Sequence, residues 1–276
     1  MKKLTIGICT ISTRHENYLP QTLSSLLSHT NQQEQQELQI VVFDCDMTAE
    51  ESSYISATKA QFRSQIEEGL IEIVRTSPAD YPDLSDLPLS FGDSPDRVYW
   101  RTKQCLDYSL IFQHCAGKAE YYLHLEDDVL CAPNYYQKIC HEIERFPASD
   151  WAAMQFCDLG FIGMLFKDAD LKKISFFFRT FCDEMPVDWL IGYFFALRRR
   201  KGEEFIRAER GLFQHIGYYS SLKGKLSDVE SPIFDGFSLH DLLRRHNWTK
   251  GISTVLSRGF ITYRKAKSYA KEMLKP

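Results

Sequence analysis

The apolar positions of the first 75 residues change period four times, and the changes predict a β-helix-β-helix-β start. Leu4-Thr5-Ile6-Gly7-Ile8-Cys9-Thr10-Ile11 is a near-continuous apolar run, as in a strand buried on both faces. A polar loop follows from Ser12 to Asn17. Leu19, Leu23, Leu26 and Leu27 then recur at helical spacing up to Ser28. Asn31 to Glu37 reads as polar connector, and Leu38 to Phe43 as the second strand. Ser52 to Glu68 reads as helix and Leu70 to Val74 as the third strand. This order predicts a parallel sheet with right-handed crossovers.

Residues 76–96 are rich in proline and aspartate and read as a long loop, which in a compact domain is usually functional or disordered. A helix is expected from Val98 to Gln113, a strand from Tyr121 to Leu125, and another from Trp151 to Phe156. An aromatic-rich patch follows, with Phe176-Phe177-Phe178, Phe181 and Phe194-Phe195. Leu212-Phe213 and Ile216 mark a late short strand, and the stretch from Ser238 onward reads as helical. The fold class is therefore α/β, with a central, mostly parallel sheet flanked by helices.

Composition narrows the picture. The 276 residues suffice for one large α/β domain, and 44% hydrophobic residues exclude a disordered polymer. The net charge of −4 is unevenly placed: residues 231–276 hold nine Lys/Arg against three Asp/Glu, and the other residues hold 24 against 34. The expected organisation is a domain over 1–230 and a basic, helical tail over 231–276 that suits peripheral contact with an anionic membrane. No nucleic-acid partner is expected. Eight cysteines occur without a C-x-x-C pair, several inside apolar runs, as reduced core thiols do. No signal peptide or run of 18 apolar residues is present. The expectation is a cytoplasmic chain, or one from a secretory lumen if the sequence is a trimmed piece.

The candidate chemistry centres on Glu126-Asp127-Asp128, which directly follows the apolar run Tyr121 to Leu125. Three adjacent carboxylates at the end of a buried strand lose hydration, and a hard divalent cation with oxygen ligands is the usual compensation. The carboxyl end of a central strand is also where open α/β sheets bind ligands. A solvated turn or a helix N-cap at Asp128 is the plainer alternative. No Walker A loop, Gly-x-Gly-x-x-Gly, His-Glu-x-x-His or Gly-x-Ser-x-Gly motif occurs. That moves ATPases, dinucleotide oxidoreductases, zincins and esterases out of the front rank.

Several longer segments carry a resemblance. They are Tyr81-Pro82-Asp83-Leu84, Phe91-Gly92-Asp93-Ser94, Trp100-Arg101-Thr102-Lys103-Gln104-x-Leu106-Asp107-Tyr108, Leu125-Glu126-Asp127-Asp128, Leu159-Gly160-Phe161-Ile162-Gly163, Pro186-x-Asp188-Trp189-Leu190, and Leu212-Phe213-Gln214-His215-x-Gly217-x-x-Ser220-Ser221-Leu222-x-Gly224-Lys225. With Leu4 to Ile8 they run in order over about residues 4–226, and in them the chain resembles the N-acetylglucosaminyltransferase IV family. The resemblance implies a GT-A (Rossmann-like) glycosyltransferase fold, a UDP-GlcNAc donor, a glycan acceptor, a Mn²⁺ or Mg²⁺ ion and inversion at the anomeric carbon. It covers the catalytic region only: no anchor, stem or lectin-like domain is expected here.

On that reading Asp128 is the expected metal ligand, assisted by Asp127 or Glu126, and His215 is a candidate for the metal or the pyrophosphate. Asp188, between Pro186-Val187 and Trp189-Leu190, is the candidate base that takes the proton of the attacking hydroxyl, with a helix N-cap as the alternative. Thr10 and Arg14 end the first strand, and Asp44 and Asp46 end the second, where a nucleotide would lie. Arg101 and Lys103 open a helix that would face the diphosphate. Gly160 and Gly163 would permit close backbone approach to the sugar. Ser220, Ser221 and Lys225 belong to a polar loop suited to closing over the donor. Two rivals remain open: a glycoside hydrolase using Glu126 and Asp188 without metal, and a sugar-binding protein without turnover.

Overall fold

Strand β1 (Lys2–Thr10) is paired on both sides, which explains its almost unbroken burial. It runs parallel to β2 (Leu38–Asp44) and to β4 (Ala119–Glu126), and β3 (Ile71–Arg75) extends the sheet beyond β2 in parallel. Beyond β4 come β7 (Met164–Lys167), β6 (Trp151–Gln155) and β8 (Glu204–Arg207), in that order. Only β7 runs against its neighbours in this seven-stranded sheet. A separate two-stranded ribbon joins β5 (Val129–Cys131) to β9 (Phe213–His215). The computed structural model describes residues 1–222 except 14 and 49, together with 231 and 233–235.

Eight helices flank the sheets among the described residues: α1 (Leu19–Ser28), α2 (Gln32–Glu37), α3 (Ser53–Gln61), α4 (Arg63–Glu67), α5 (Pro95–Cys115), α6 (Tyr135–Arg145), α7 (Asp168–Thr180) and α8 (Val187–Arg199). Side chains alternate faces along each strand, so the core falls into two clusters. Ile6, Ile8, Leu123 and Leu125 join α1 and α6 in one. Val41, Phe43, Tyr122 and Phe166 join α5, α7 and α8 in the other.

Several elements differ from the pattern reading. The polar segment before β2 is helical because Asn31 and Glu34 form a reciprocal capping box, which satisfies two terminal N–H groups without any apolar periodicity. The helix expected over 52–68 is two, divided where Phe62 turns into the core. The aromatic patch after residue 175 proves to be α7 and α8, each burying one stripe: Leu171, Ile174 and Phe178, then Val187, Leu190, Ile191 and Phe194. Near-continuous aromatics conceal the helical period there.

All eight cysteines are free thiols, buried or half-buried. His124 is fully buried among Tyr108, Phe112 and Phe161, and its Nδ1 shares a hydrogen bond with the Tyr122 hydroxyl at 2.8 Å. Burial pushes its imidazole down to about 3, so it remains neutral near physiological pH.

The compact unit runs from Met1 to Gly236, a little past the expected boundary at 230. Gly211 bridges to Phe234, and Asp235 pairs with Lys138 and Arg210. The remainder of the basic tail, including its expected helix and membrane contact, lies outside the described residues. Among the described residues no helix is long and apolar enough to cross a membrane.

Candidate active site

The parallel strands β1, β2 and β4 end at one edge of the sheet, with Thr10, Asp44 and Glu126 as their last residues. The turn from β4 into β5 carries the three carboxylates, and Thr22 of α1 pins it. The Thr22 hydroxyl donates to the Asp127 carbonyl at 2.8 Å and accepts from the Val129 N–H at 3.0 Å. Asp127 accepts a hydrogen bond from the Thr10 hydroxyl, which ties the turn to the end of β1.

Glu126 and Asp128 lie two residues apart, and both approach His215. One ligand atom from each of the three falls within 4.8 Å of the others. His215 Nε2 stands 3.2 Å from Asp128 Oδ2. The ribbon sets this register by pairing Val129 with His215, and the Ile216 N–H donates to the Asp128 carbonyl at 2.8 Å. Gly217 closes the group from the other side: a β-carbon there would stand 1.9 Å from Asp128 Oδ2. The space beside the carboxylate therefore requires glycine. Two carboxylates and one imidazole form a donor set that fits a divalent cation such as Mn²⁺. The sequence reading placed the metal on Asp128 and His215 with either acidic neighbour, and it is Glu126 that shares their cluster.

Two cavities open at this edge. The first is lined by Thr10, Cys45, Trp100, Lys103, Glu126 and Asp127, among others. The second is lined by Arg97, Arg101, Gly160, Phe161, Asp188 and Trp189, among others. Trp100, Gln104, Tyr108 and Glu126 belong to both. The helical period of α5 puts 100, 104 and 108 on one face, so this helix forms the wall between the cavities. Asp188, at the first turn of α8, thus opens onto the same space as Glu126.

The other candidates divide. Ser221 lines the first cavity and accepts from the Trp100 indole N–H at 3.0 Å. Arg101 lines the second, wholly buried, with its guanidinium bonded to the Ser90 hydroxyl and beside Asp93. Asp44, expected to meet the nucleotide, is instead committed to Arg75, whose Nε stands 3.0 Å from Oδ2, and it lines neither cavity. Asp46 accepts from the Ser12 N–H at 3.1 Å, joining the loops after β1 and β2, and is likewise outside both linings. Gly163 has φ +68°, a β-carbon there would meet Phe213 at 2.9 Å, and the residue lines neither cavity. Ser220 accepts from the Leu222 N–H at 3.1 Å within its own loop. Arg14 and Lys225 lie outside the described residues.

Asp107, Tyr81, Tyr108 and Gly217 stand in the motifs quoted above, but the sequence alone assigns them no role. Asp107 had a local signal, four residues after Lys103 on one helix. Lys103 Nζ donates to both Asp107 oxygens at 2.9 Å and to the Cys45 carbonyl at 2.7 Å, and Tyr81 donates to Asp107 at 2.6 Å. Burial opposes the Lys103 charge, but Asp107 outweighs it and holds the ammonium above its ordinary range. Beside it the Cys9 and Cys45 thiols touch, and burial pushes both up. Lys103→Met should cost about 3 kcal/mol by stranding Asp107 without its cation. Urea unfolding measures this, and adding Asp107→Leu should recover most of the loss.

A mostly parallel α/β sheet with acidic residues and two adjoining cavities at its carboxyl edge defines a domain of the class that binds its ligand at the ends of the strands. The chain belongs to the family described as the MGAT4 conserved region, which it matches over residues 1–233. It is 35% identical over 283 residues to alpha-1,3-mannosyl-glycoprotein 4-beta-N-acetylglucosaminyltransferase B of Mus musculus, covering 98% of this chain and 51% of that protein. With the A enzyme of Xenopus tropicalis the identity is 34% over 252 residues, covering 87% and 47%. The chain thus spans about half the length of these relatives. Among solved structures it is similar to a mannosyltransferase from Pyrobaculum calidifontis in complex with GDP-Man and Mn²⁺. The TM-score there is 0.46 and the identity 10%, over 75% of this chain and 54% of that one.

Proposed function

We propose that this chain is a metal-dependent, inverting glycosyltransferase that moves GlcNAc from UDP-GlcNAc to a hydroxyl of a mannose-terminated glycan. The observation that carries this is the position of Glu126, which clusters with Asp128 and His215 and also lines the cavity that holds Asp188. The names of the relatives supply the sugar and the mannosyl acceptor.

In this reading Glu126, Asp128 and His215 hold Mn²⁺, with Mg²⁺ as the second choice because the set includes an imidazole. The ion supplies Lewis-acid stabilisation of the negative charge that develops on the departing diphosphate. Thr10 and Asp127 flank the nucleotide at the end of β1. Trp100 and Tyr108 wall off water, which competes with the acceptor. Arg101 faces the sugar side of the wall. The Asp188 carboxylate accepts the proton of the attacking hydroxyl as that oxygen bonds to the anomeric carbon.

The test is UDP release across a panel of UDP-sugars, with Mn²⁺ or with EDTA, and with or without a mannose-terminated glycan. UDP-GlcNAc should lead the panel, and release should require both metal and glycan. Glu126 and Asp188 share one cavity, which also suits the carboxylate pair of a glycoside hydrolase. Glycan cleavage that persists in EDTA would establish that reading instead.

A further inference from the structure

The face of α8 turned away from the core is as apolar as the face turned toward it. Trp189, Tyr193 and Leu197 follow at intervals of four and are 58%, 60% and 58% exposed. Gly192 and Ala196 sit between them, also exposed, and nothing lies within 4 Å of where a Gly192 β-carbon would be. No charged side chain interrupts the helix between Asp188 and Arg198. A helix that is apolar all round is normally buried all round. Trp189 is held at one end by Phe91, edge-to-face with ring centroids 5.6 Å apart, and Phe91 in turn carries the Arg101 guanidinium at 5.3 Å.

We infer that this stripe is a stacking platform for the inner sugars of a branched oligosaccharide acceptor, whose outermost residue reaches Asp188. The inference rests on the proposed transferase reading and adds to it where the rest of the acceptor lies. Continuity selects this occupant. Trp189 lines the Asp188 cavity and also heads the stripe, so a glycan with its reacting hydroxyl at Asp188 has this face as its path outward. The chemistry agrees. Aromatic rings offer broad apolar faces that suit the C–H faces of pyranoses, and the small residues between them leave room for flat rings. Successive rings on the helix are separated by about 6 Å along its axis, the scale of one sugar unit.

The experiment compares the full chain with Tyr193→Ala and Tyr193→Phe, since Tyr193 lies outside the cavity lining and its exposure predicts little effect on folding. Two acceptors are used: methyl α-mannoside and a mannose-terminated biantennary N-glycan. Tyr193→Ala should raise KM for the N-glycan about tenfold while leaving kcat, the mannoside kinetics and the affinity for UDP unchanged. Tyr193→Phe should restore the N-glycan KM. Equal effects on both acceptors, or on neither, would overturn the inference. So would unchanged N-glycan kinetics with a dimer-to-monomer shift in light scattering, which would assign the face to a second copy. Titration of the N-glycan without donor separates this inference from the parent reading. If wild type transfers nothing yet binds the glycan in a Tyr193-dependent way, the platform stands and the transferase reading fails. If wild type neither transfers to nor binds the glycan, the platform fails as well.

Discussion

Asp128→Ala should lower the rate of UDP release by at least about a thousandfold and abolish the stabilisation that Mn²⁺ gives the protein. A thousandfold loss corresponds to about 4 kcal/mol of transition-state stabilisation, within what a Lewis acid at a departing diphosphate contributes. The size follows from the position of the side chain. Asp128 is 2% exposed, 3.2 Å from His215 Nε2, and pressed against Gly217, so no mobile surface carboxylate can take its place. Folding and function separate by measurement. With Mn²⁺ at a hundred times its dissociation constant, the wild type should gain about 2.7 kcal/mol, and the variant nothing. Asp128→Asn keeps the volume and removes the charge, and should behave like the alanine variant in the metal assay. Unchanged Mn²⁺ stabilisation in both variants would remove Asp128 from the metal set.

How much of this was legible in the sequence depends on how local each signal is. β1, α1 and β2 could be read because burial on both faces of a strand and on one face of a helix leaves a short-range period. The acidic turn could be read because three charges after a buried strand are costly anywhere. The choice of Glu126 over Asp127 could not. It depends on which side of the turn faces the β5–β9 ribbon, and that pairing joins residues more than eighty positions apart. The Asp44–Arg75 ion pair could not be read either, because its two members end different strands and it has no signature within either segment. Gly217 has no local signal either; its need arises from the Asp128 oxygen that crosses in front of it. Asp188 was marked by its motif, but the cavity it shares with Glu126 is built by α5, whose face toward the site carries Trp100, Gln104 and Tyr108 rather than an acidic signature.

Asp188→Asn should leave UDP and Mn²⁺ binding within about twofold of wild type, yet cut transfer to the mannose-terminated glycan by a factor of 10² to 10⁴, the usual range for removing a general base. The argument is one of separation. Asp188 belongs to the cavity formed by Phe161, Arg101 and Trp189, whereas Thr10, Asp127 and Lys103 belong to the other cavity. A substitution at Asp188 therefore changes the acceptor side and leaves the donor side intact. Asparagine keeps the shape and still accepts at its amide oxygen, as Asp188 Oδ1 does from the Trp189 N–H, but it cannot take a proton. Since the interaction lost is one made only in the transition state, kcat should fall while the KM for UDP-GlcNAc holds. Isothermal titration with UDP and steady-state transfer assays give the two halves of the test. Pro186, not Asp188, is the N-cap of α8, so transfer at the wild-type rate would leave Asp188 as an acidic first-turn residue and move the search for a base to Glu126, the other carboxylate lining that cavity.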